Sequence, residues 1–351
     1  MAGSQNGDED IDVASSYRVE RIPMHMSDWD PTRPSSLRTY LKMVSSLLRI
    51  SHKNNIQQIH CAKVLPEALV AWLIKHIATI PYIVYAHGEE ITVGLTSRKF
   101  QWLLPRIYNG AAAIIANSSN TRVLLEGIGI KANKIHLIHP GVDAEFYGFK
   151  AGEAEVIRNK YRLGTSPVIL TVGRMQRRKG QDMVIKALPR IKEKFPAVKY
   201  IIVGTGEESR YLRTLAHNFG VADVVIFAGR VPDEDLPAYY STCDVFVMPN
   251  REIDGDIEGF GMVYLEANAA RKPVIGGISG GTGDAIVHGV TGLRVDGTDV
   301  KAITDSVISL LKNHAEAKAM GEAGRRRVEE EFKWESVAKR TIAISNSIET
   351  K

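Results

Sequence analysis

The sequence has little cysteine and no long uninterrupted apolar run. Cys61 and Cys243 are the only two cysteines, and they provide neither the spacing of a metal site nor a disulfide framework. The most apolar long stretch, LVAWLIKHIATIPYIVYAH, is interrupted by Lys75, His76 and Pro81, so we expect that it cannot cross a bilayer. The cysteine usage favours a protein of the reducing cytoplasm.

The sequence also has almost no excess of positive or negative charge. Lys and Arg number 45 against 40 for Asp and Glu, a formal net charge of +5. This balance suits a phosphate-bearing ligand or an anionic surface, and it is too weak to indicate nucleic acid. The opening residues, MAGSQNGDEDIDVASS, are small, polar and acidic without a signal-peptide pattern, so we expect a disordered leader over 1–16.

What remains alternates short β-rich runs with helical patterns, which predicts parallel sheets with crossover helices. The 351 residues allow two domains of roughly 150 residues each. We predict a first domain over 17–148, a second over 149–330, and a C-terminal helix over 331–351 that packs back towards the first domain. The expected strands are YRVERI, IQQIH, YIVYAH, AAAIIAN and IHLIHPG in the first half, and VILTVGR, KYIIVGTG, VVIFAG, DVFVMPN, KPVIGG and GLRVDG in the second.

Glycines repeatedly follow the predicted strand ends. In an open parallel sheet, ligands bind beyond the carboxyl ends of the strands, where backbone must approach phosphate or sugar closely. A single such glycine indicates only a tight turn, and GTGEE lacks the third glycine of a dinucleotide fingerprint. Their repetition favours a ligand site at this edge. The glycines are Gly173, Gly204, Gly206, Gly229, Gly276 and Gly277.

A basic stretch, VGRMQRRKGQD, follows the first strand of the second half. It puts Arg174 directly after the strand and Lys179 five residues later, before a helix. Cations at a strand end beside a helix N-terminus suit a diphosphate, because Arg can bind two oxygens at once. The alternative is a solvated basic loop, and we expect Arg177 and Arg178 to belong to one.

Two predicted strands of the first half deliver polar side chains at their ends. YAHGEE places His87 and Glu89 there, and IANSSNTR places Asn117 and Ser118 before a helix. A histidine at this position, after a predicted strand, can have either a structural or a catalytic role. Ser118 or Ser119 can equally serve as a helix cap.

The segment EGFGMVYLEANAARKP contains two glutamates eight positions apart, Glu258 and Glu266. On one continuous helix they would lie ~80° apart. The intervening glycines predict instead that Glu258 lies in a loop and Glu266 in the following helix. Both would then border a helix N-terminus, which favours anions. The alternative is an amphipathic helix with a solvated Glu266.

Together these motifs resemble the donor-binding domain of the retaining family-four glycosyltransferases, which have the GT-B fold. The E-x7-E pair, the Arg and Lys of G-R-x-x-x-x-K, and the motif order are jointly specific. The nearest members are bacterial mannosyltransferases acting on lipid or glycan acceptors. YAHGEE and HPGVD extend the resemblance to roughly 17–345. The matching donor-domain elements are VGRMQRRKG, GTGEE, FAGRVPDEDLPAYY, EGFGMVYLEA, PVIGGISGG and DAIVHGVTGLRVDG.

The family's first domain opens with a strand and a Gly-rich loop near the donor phosphates. Nothing of that kind precedes YRVERIP in this sequence. We therefore expect an incomplete, truncated first domain, which would be prone to self-association through its sheet.

The resemblance implies specific roles for the candidate residues. Glu258 contacts the transferred sugar, Glu266 binds the ribose hydroxyls, and Arg174 and Lys179 hold the diphosphate. His87 lies across the cleft, near the sugar and the attacking hydroxyl. The base is implied to lie near Arg230 and Val231. The other implied donor-binding residues are Gly173, Gly204, Gly259, Phe260, Gly261, Met262 and Val263. Glu89, Asn117 and Ser118 are implied to lie on the acceptor side.

The sequence therefore predicts an α/β protein of the GT-B fold, with two Rossmann-like domains facing across a cleft. The implied activity moves a hexose, with retention, from a GDP- or UDP-linked sugar to a hydroxyl of a glycan or lipid-linked acceptor. No Asp-x-Asp stands at a strand end, so we expect no essential metal, and the resemblance implies no further cofactor.

Two other functions stay open at this point, a GT-B-like nucleotide-sugar epimerase and a weakly active or non-catalytic nucleotide-sugar-binding protein. Sugar transfer to an added acceptor separates the first from a transferase, and binding without turnover identifies the second. The basic segment LRTYLKMVSSLLRISHK also permits peripheral contact with the inner face of the membrane, although a core or partner-facing helix explains it equally well.

Overall fold

The computed structural model describes residues 19–20, 30–31 and 33–348. The predicted leader and most of the predicted strand YRVERI lie outside the described residues. Within them, the chain forms two separate parallel sheets, one of four strands and one of six. The predicted α/β architecture of two Rossmann-like domains is confirmed.

The first sheet has the strand order β1-β2-β3-β4, with every neighbouring pair parallel. The predicted strand IQQIH begins later than expected, at Ile59. The strands are β1 Ile59–Cys61, β2 Tyr82–Ala86, β3 Ala113–Ala116 and β4 Ile135–Leu137, and the helices around them are α1 Pro34–Lys53, α2 Leu69–Ala78, α3 Glu89–Gly94, α4 Arg98–Gly110 and α5 Ser119–Gly127.

The second sheet has the order β10-β9-β8-β5-β6-β7, so its connections reverse direction between β5 and β8. Such a reversal opens a crevice at the carboxyl ends of the strands. The strands are β5 Val168–Val172, β6 Lys199–Val203, β7 Val225–Gly229, β8 Val245–Met248, β9 Val274–Gly277 and β10 Gly292–Val295. The remaining helices are α6 Ala151–Lys160, α7 Gln181–Lys194, α8 Ser209–Asn218, α9 Leu236–Thr242, α10 Met262–Ala269, α11 Thr282–Ala285, α12 Val300–Lys312, α13 His314–Glu331 and α14 Trp334–Asn346.

The second sheet is covered on both faces, which is why its strands are continuously apolar in the sequence. Leu170 and Val172 pack into the core on one face, and Ile169 packs into the core on the other. All five residues of β5 are buried. The strand ends are therefore held rigidly, and the residues that follow them are placed accurately.

The chain passes between the two domains twice, and the two passages lie side by side. The Val142 N–H donates a 2.8 Å hydrogen bond to the Phe332 carbonyl. Gly141 packs so closely that a Cβ there would lie 2.8 Å from the backbone nitrogen of Trp334. The predicted boundary between 148 and 149 follows the first passage.

After the second passage, α14 packs on the first sheet rather than the second. Val337 and Ile344 contact the buried side chains of Ile83 and its neighbours. The Arg340 guanidinium donates to the Leu137 carbonyl at the end of β4. The last helix therefore belongs structurally to the first domain.

Candidate functional site

A cavity of about 550 Å³ lies between the two domains. On one side it is lined by residues that follow β2 and β3, including His87 and Asn117. On the other side it is lined by Lys179, Glu258 and the loop over 259–263. The cavity thus brings together predicted site residues that are far apart in the sequence.

Glu258 is the most heavily paired carboxylate of this cavity. Its Oε2 atom lies 2.5 Å from the Lys179 ammonium and 2.9 Å from Nη1 of Arg178. Both cations belong to the short 3-10 turn after β5, whereas Glu258 lies in the loop before α10. The prediction that Glu258 lies in a loop and Glu266 in a helix is confirmed.

The expectation that Arg178 is solvated is wrong. Its side chain is only 11% exposed, and Nε lies 2.9 Å from Asp256 while Nη2 lies 3.7 Å from Glu89. Arg177 is exposed as expected, and it pairs with Glu208 at 3.2 Å. A 3-10 turn has three residues per turn, so adjacent side chains point in different directions, and of the two arginines Arg178 faces the cleft whereas Arg177 does not.

The loop around Glu258 depends on glycine for its close approach to the first domain. A Cβ on Gly259 would lie 2.3 Å from the His87 carbonyl oxygen, well inside contact distance. Gly261, with φ at +93°, then begins α10, a conformation that favours glycine. Glycine at these two positions lets the loop reach the end of β2.

The first turn of α10 borders the cavity, as the predicted phosphate cradle requires. Phe260 is buried, and its ring stacks on His139 with centroids 5.5 Å apart. Met262 and Val263 follow at the start of the helix, where N–H groups have no intrahelical acceptor. These N–H groups and the helix dipole make the position suitable for an anion.

Glu266 lies deeper, where the second turn of α10 meets α9. The Tyr240 hydroxyl donates a 2.5 Å hydrogen bond to Glu266 Oε2. Burial raises the pKa of the Glu266 carboxyl, the hydrogen bond from Tyr240 opposes the rise, and Asp233 adds to it. Sequence reasoning did not identify Tyr240, because nothing in AYYSTC distinguishes it from its neighbour.

The ends of β5, β6 and β7 meet at the predicted glycines. A Cβ on Gly204 would lie 2.2 Å from the Gly173 carbonyl oxygen, and the Gly204 N–H donates a 2.7 Å bond to the Gly229 carbonyl. Arg230 and Val231 come directly after β7, so the structure brings the residues predicted to lie near the base to the same edge.

A second cavity, of about 830 Å³, extends from the cleft across the first domain. It shares His87 and Arg178 with the first cavity, and Arg174 also lines it. Lys63 and Phe100 line it on the first-domain side. Arg174 is exposed there, whereas Lys179 and Arg178 face Glu258.

His87 is held by contacts within the first domain. Its Nε2 atom lies 2.9 Å from the Ala62 carbonyl oxygen, and its backbone N–H donates a 2.8 Å bond to Glu90 Oε1. The Asn117 amide donates to the His87 carbonyl at 3.3 Å. These bonds fix the imidazole at the mouth of both cavities.

Ser118 caps a helix, one of the two possibilities that the sequence left open. Its hydroxyl is fully buried and accepts a 3.1 Å hydrogen bond from the Thr121 N–H at the start of α5. The next N–H, from Ser119, donates across the cleft to the Asp284 carboxylate. This segment therefore joins the two domains, and an acceptor-side role for Ser118 stays a prediction.

The described residues, 19–20, 30–31 and 33–348, have three further properties. They hold no group of three His, Cys, Asp or Glu side chains arranged to bind a metal ion. No helix among them has both the length and the apolar character to cross a membrane. Burial raises the pKa of the Cys61 and Cys243 thiols to about 12, so neither thiol is a nucleophile at neutral pH.

Comparison with known proteins gives matches over nearly the whole sequence. Residues 5–146 match Glycosyltransferase Family 4, and residues 153–327 match Glycosyl transferases group 1. A GDP-mannose-dependent alpha-(1-6)-phosphatidylinositol monomannoside mannosyltransferase of Mycobacterium tuberculosis is 35% identical over 333 residues. That alignment covers 94% of this chain and 83% of the relative.

Two further similarities agree with that match. A GDP-mannose-dependent monoacylated alpha-(1-6)-phosphatidylinositol monomannoside mannosyltransferase of Corynebacterium glutamicum is 32% identical, covering 99% of this chain and 89% of the relative. The structure of sucrose-phosphate synthase from Thermosynechococcus elongatus superposes with a TM-score of 0.78 at 26% identity, covering 90% of this chain and 79% of that one. This chain therefore belongs to the glycosyltransferases of family 4 and group 1 and has the GT-B fold.

Proposed function

We propose that this chain is a retaining mannosyltransferase that moves mannose from GDP-mannose to a hydroxyl of a glycolipid or lipid-linked glycan. The main observation behind this proposal is the position of Glu258. It lies between the two domains, in contact with Lys179 and beside the first turn of α10. The activities for which the mycobacterial and corynebacterial relatives are named support mannose, GDP and a lipid acceptor.

The diphosphate site in this proposal is built from cations and helix N–H groups. Arg174 and Lys179 both follow β5; Lys179 lines the smaller cavity together with the first turn of α10, and Arg174 lines the larger one. The leaving diphosphate gains negative charge as the glycosidic bond breaks. Positive groups that are already in place stabilise that charge without reorganising.

Glu258 is proposed to bind the hydroxyls of the transferred sugar. An ionised carboxylate accepts up to four hydrogen bonds, so one that already has two cationic partners retains capacity for a sugar. Those cations also disfavour its use as a nucleophile. The proposed step is therefore attack by the acceptor hydroxyl on the face that the diphosphate leaves, which retains the anomeric configuration and depends on positioning and charge.

Glu266 is proposed to bind the two ribose hydroxyls. Its Oε2 atom accepts from Tyr240, so the carboxylate is held in one orientation before a ligand arrives. Two adjacent hydroxyls match the two oxygens of a carboxylate. The base would then lie towards Arg230 and Val231, at the end of β7.

The acceptor hydroxyl is proposed to enter from the larger cavity, beside His87 and Glu89. Both residues line this cavity, and Asn117 orients the His87 backbone. The size of about 830 Å³ suits a sugar with part of its carrier. His87 would contact the transferred sugar and the attacking hydroxyl from the first domain.

The proposed location of the protein is the cytoplasm, with peripheral contact to the inner face of the membrane. α1 exposes Leu37 and Leu41, at 51% and 61% respectively, and Trp102 of α4 is 58% exposed. Arg38 and Lys42 are exposed on the same helix. Apolar and basic side chains together suit an anionic lipid surface.

Vesicle flotation tests the membrane proposal. The parent protein should bind vesicles that contain phosphatidylglycerol and should not bind vesicles of phosphatidylcholine alone. Leu41→Ser should weaken the binding to the phosphatidylglycerol vesicles. Equal recovery with both lipids would contradict a role for charge. Self-association through the first sheet also stays a proposal, and sedimentation velocity at several protein concentrations tests it.

The activity test offers the protein GDP-mannose, UDP-glucose and UDP-galactose, each with a phosphatidylinositol mannoside acceptor. Mannosylated lipid that α-mannosidase cleaves is the expected product with GDP-mannose alone. Glu258→Gln should lose transfer, and Arg177→Gln, which changes a neighbouring exposed cation, should keep it.

Each alternative function gives a different result in this assay. A new isomer of the donor without transfer would identify an epimerase. Donor binding without any product would identify a non-catalytic binding protein. Transfer from a UDP-sugar in place of GDP-mannose would overturn the donor assignment and leave the transferase assignment standing.

A further inference from the structure

Arg178 contacts carboxylates from both domains. Its guanidinium lies 2.9 Å from Glu258 and 2.9 Å from Asp256 in the second domain, and 3.7 Å from Glu89 in the first. Lys179 also contacts Glu258, at 2.5 Å. Three carboxylates therefore share two cations in the cleft.

Glu258 and its two cationic partners are shielded from solvent, whereas Asp256 and Glu89 at the edge of the cluster are 37% and 47% exposed. The side chains of Arg178, Lys179 and Glu258 are 11%, 13% and 11% exposed. Burial raises the pKa of Asp256, Arg178 opposes the rise, and Glu89 and Glu258 add to it. A carboxylate that loses its partner in such a place is strongly destabilised.

Two anionic groups compete for the single ammonium group of Lys179. In the structure it is bound to Glu258, whereas in the proposed function it holds the diphosphate of the donor. Moving to the diphosphate removes one of the two cations from Glu258. The remaining partner of Glu258 at this position is Arg178, which contacts the same Oε2 atom.

We propose that Arg178 is a positioning residue that retains Glu258 when Lys179 transfers to the donor diphosphate. The inference rests on the proposed function. Arg178 stays paired with Glu258 and keeps it oriented towards the sugar, so Lys179 can move away without leaving a buried carboxylate unpaired. The longer contact between Arg178 and Glu89 links this cluster to the first domain. The contact therefore holds Arg178 in place most strongly when the two domains are close together.

The test is a double-mutant cycle in which calorimetry measures the affinity for GDP. GDP contains the diphosphate that Lys179 is proposed to bind, but it lacks the sugar that Glu258 is proposed to bind. Arg178→Gln should weaken GDP binding by about tenfold, the size of one charge-assisted hydrogen bond, because Glu258 then retains Lys179. Glu258→Gln should not weaken it. Arg178→Gln combined with Glu258→Gln should restore the affinity of Glu258→Gln alone.

Two matched variants separate positioning from folding. Arg178→Lys keeps the charge and should recover a substantial part of the GDP affinity. Arg177→Gln removes an equal charge from the adjacent exposed position, which pairs with Glu208, and should bind GDP like the parent. Thermal melting of each variant in the same buffer establishes that the compared proteins are folded.

Each outcome bears on a distinct claim. If the double variant binds GDP as weakly as Arg178→Gln, Arg178 acts on the diphosphate directly or only on folding, and this inference is overturned. Unchanged binding by Arg178→Gln overturns it as well. A parent protein that binds no nucleoside diphosphate would overturn the proposed function itself, together with the role of Arg178.

Discussion

The Tyr240 hydroxyl donates a 2.5 Å hydrogen bond to Glu266, joining α9 to α10 through a buried polar contact. The Tyr240 side chain is itself fixed by aromatic neighbours, with Tyr147 edge-on at 5.8 Å. One carboxylate oxygen is therefore held in place before any ligand binds. The orientation of Glu266 is a property of the fold.

Tyr240→Phe should weaken GDP binding about fivefold to tenfold, because a charge-assisted hydrogen bond that orients Glu266 is lost. The adjacent Tyr239 gives a matched control, since its hydroxyl lies 3.0 Å from that of Tyr161 and does not contact Glu266. Calorimetry with GDP measures both variants. Equal loss in Tyr239→Phe would assign the effect to packing, and no loss in Tyr240→Phe would remove Glu266 from the ribose site.

Glu266→Gln should change the pH dependence of stability. Burial raises the pKa of Glu266 in the folded protein, so ionising it opposes folding, and that opposition grows as pH rises through the folded pKa. The variant cannot ionise, and its amide oxygen can still accept from Tyr240. Its melting temperature relative to the parent should therefore rise from pH 4 to pH 8. A constant difference across this range would contradict the raised pKa.

Arg174→Ala and Lys179→Ala should each lower kcat by about 100-fold to 1000-fold, the usual effect of losing a group that stabilises transition-state charge. Steady-state transfer from GDP-mannose measures this, with Arg177→Ala as the control for a nearby cation outside the cavity. An unchanged kcat in both variants would show that neither residue binds the leaving diphosphate.

His87→Ala should reduce transfer by about 100-fold through loss of positioning, while GDP affinity stays near that of the parent. The reason is that His87 is held by Ala62 and Glu90 of the first domain, whereas the nucleotide is proposed to bind to residues of the second domain. Transfer and calorimetry on one preparation give both numbers. A large loss of GDP binding would put the imidazole at the phosphates.

Incubation with EDTA should leave the transfer rate unaltered. The expectation comes from the family resemblance, in which arginine, lysine and helix N–H groups balance the diphosphate charge. The rate is measured before and after dialysis against chelator. Loss of activity that Mg²⁺ or Mn²⁺ restores would reveal a metal requirement.

The fold was predictable because buried parallel strands leave continuous apolar runs in the sequence, as VILTV of β5 does. The placement of Glu258 and Glu266 on opposite sides of a helix start was predictable for a similar reason. Gly261 between them has a backbone conformation that a helix cannot contain. In both examples the deciding physics is local.

The contacts of Arg178 were not predictable, because its partners Glu89, Asp256 and Glu258 lie about 80 to 90 residues away in the sequence. Arg177 and Arg178 are chemically identical, and only the phase of a 3-10 turn decides which one faces the cleft. Tyr240 was missed for the same reason. Its partner Glu266 is on another helix, and the choice between two adjacent tyrosines depends on how α9 packs.

The two passages of chain between the domains have a mechanical consequence. Since the Val142 and Phe332 backbones are hydrogen-bonded to each other, the passages act as one hinge instead of two separated tethers. We expect any movement of the two lobes to be a rotation about this line. After a protease cut in the first passage, the covalent connection from the second lobe would reach only α14, which is held on the first sheet by packing.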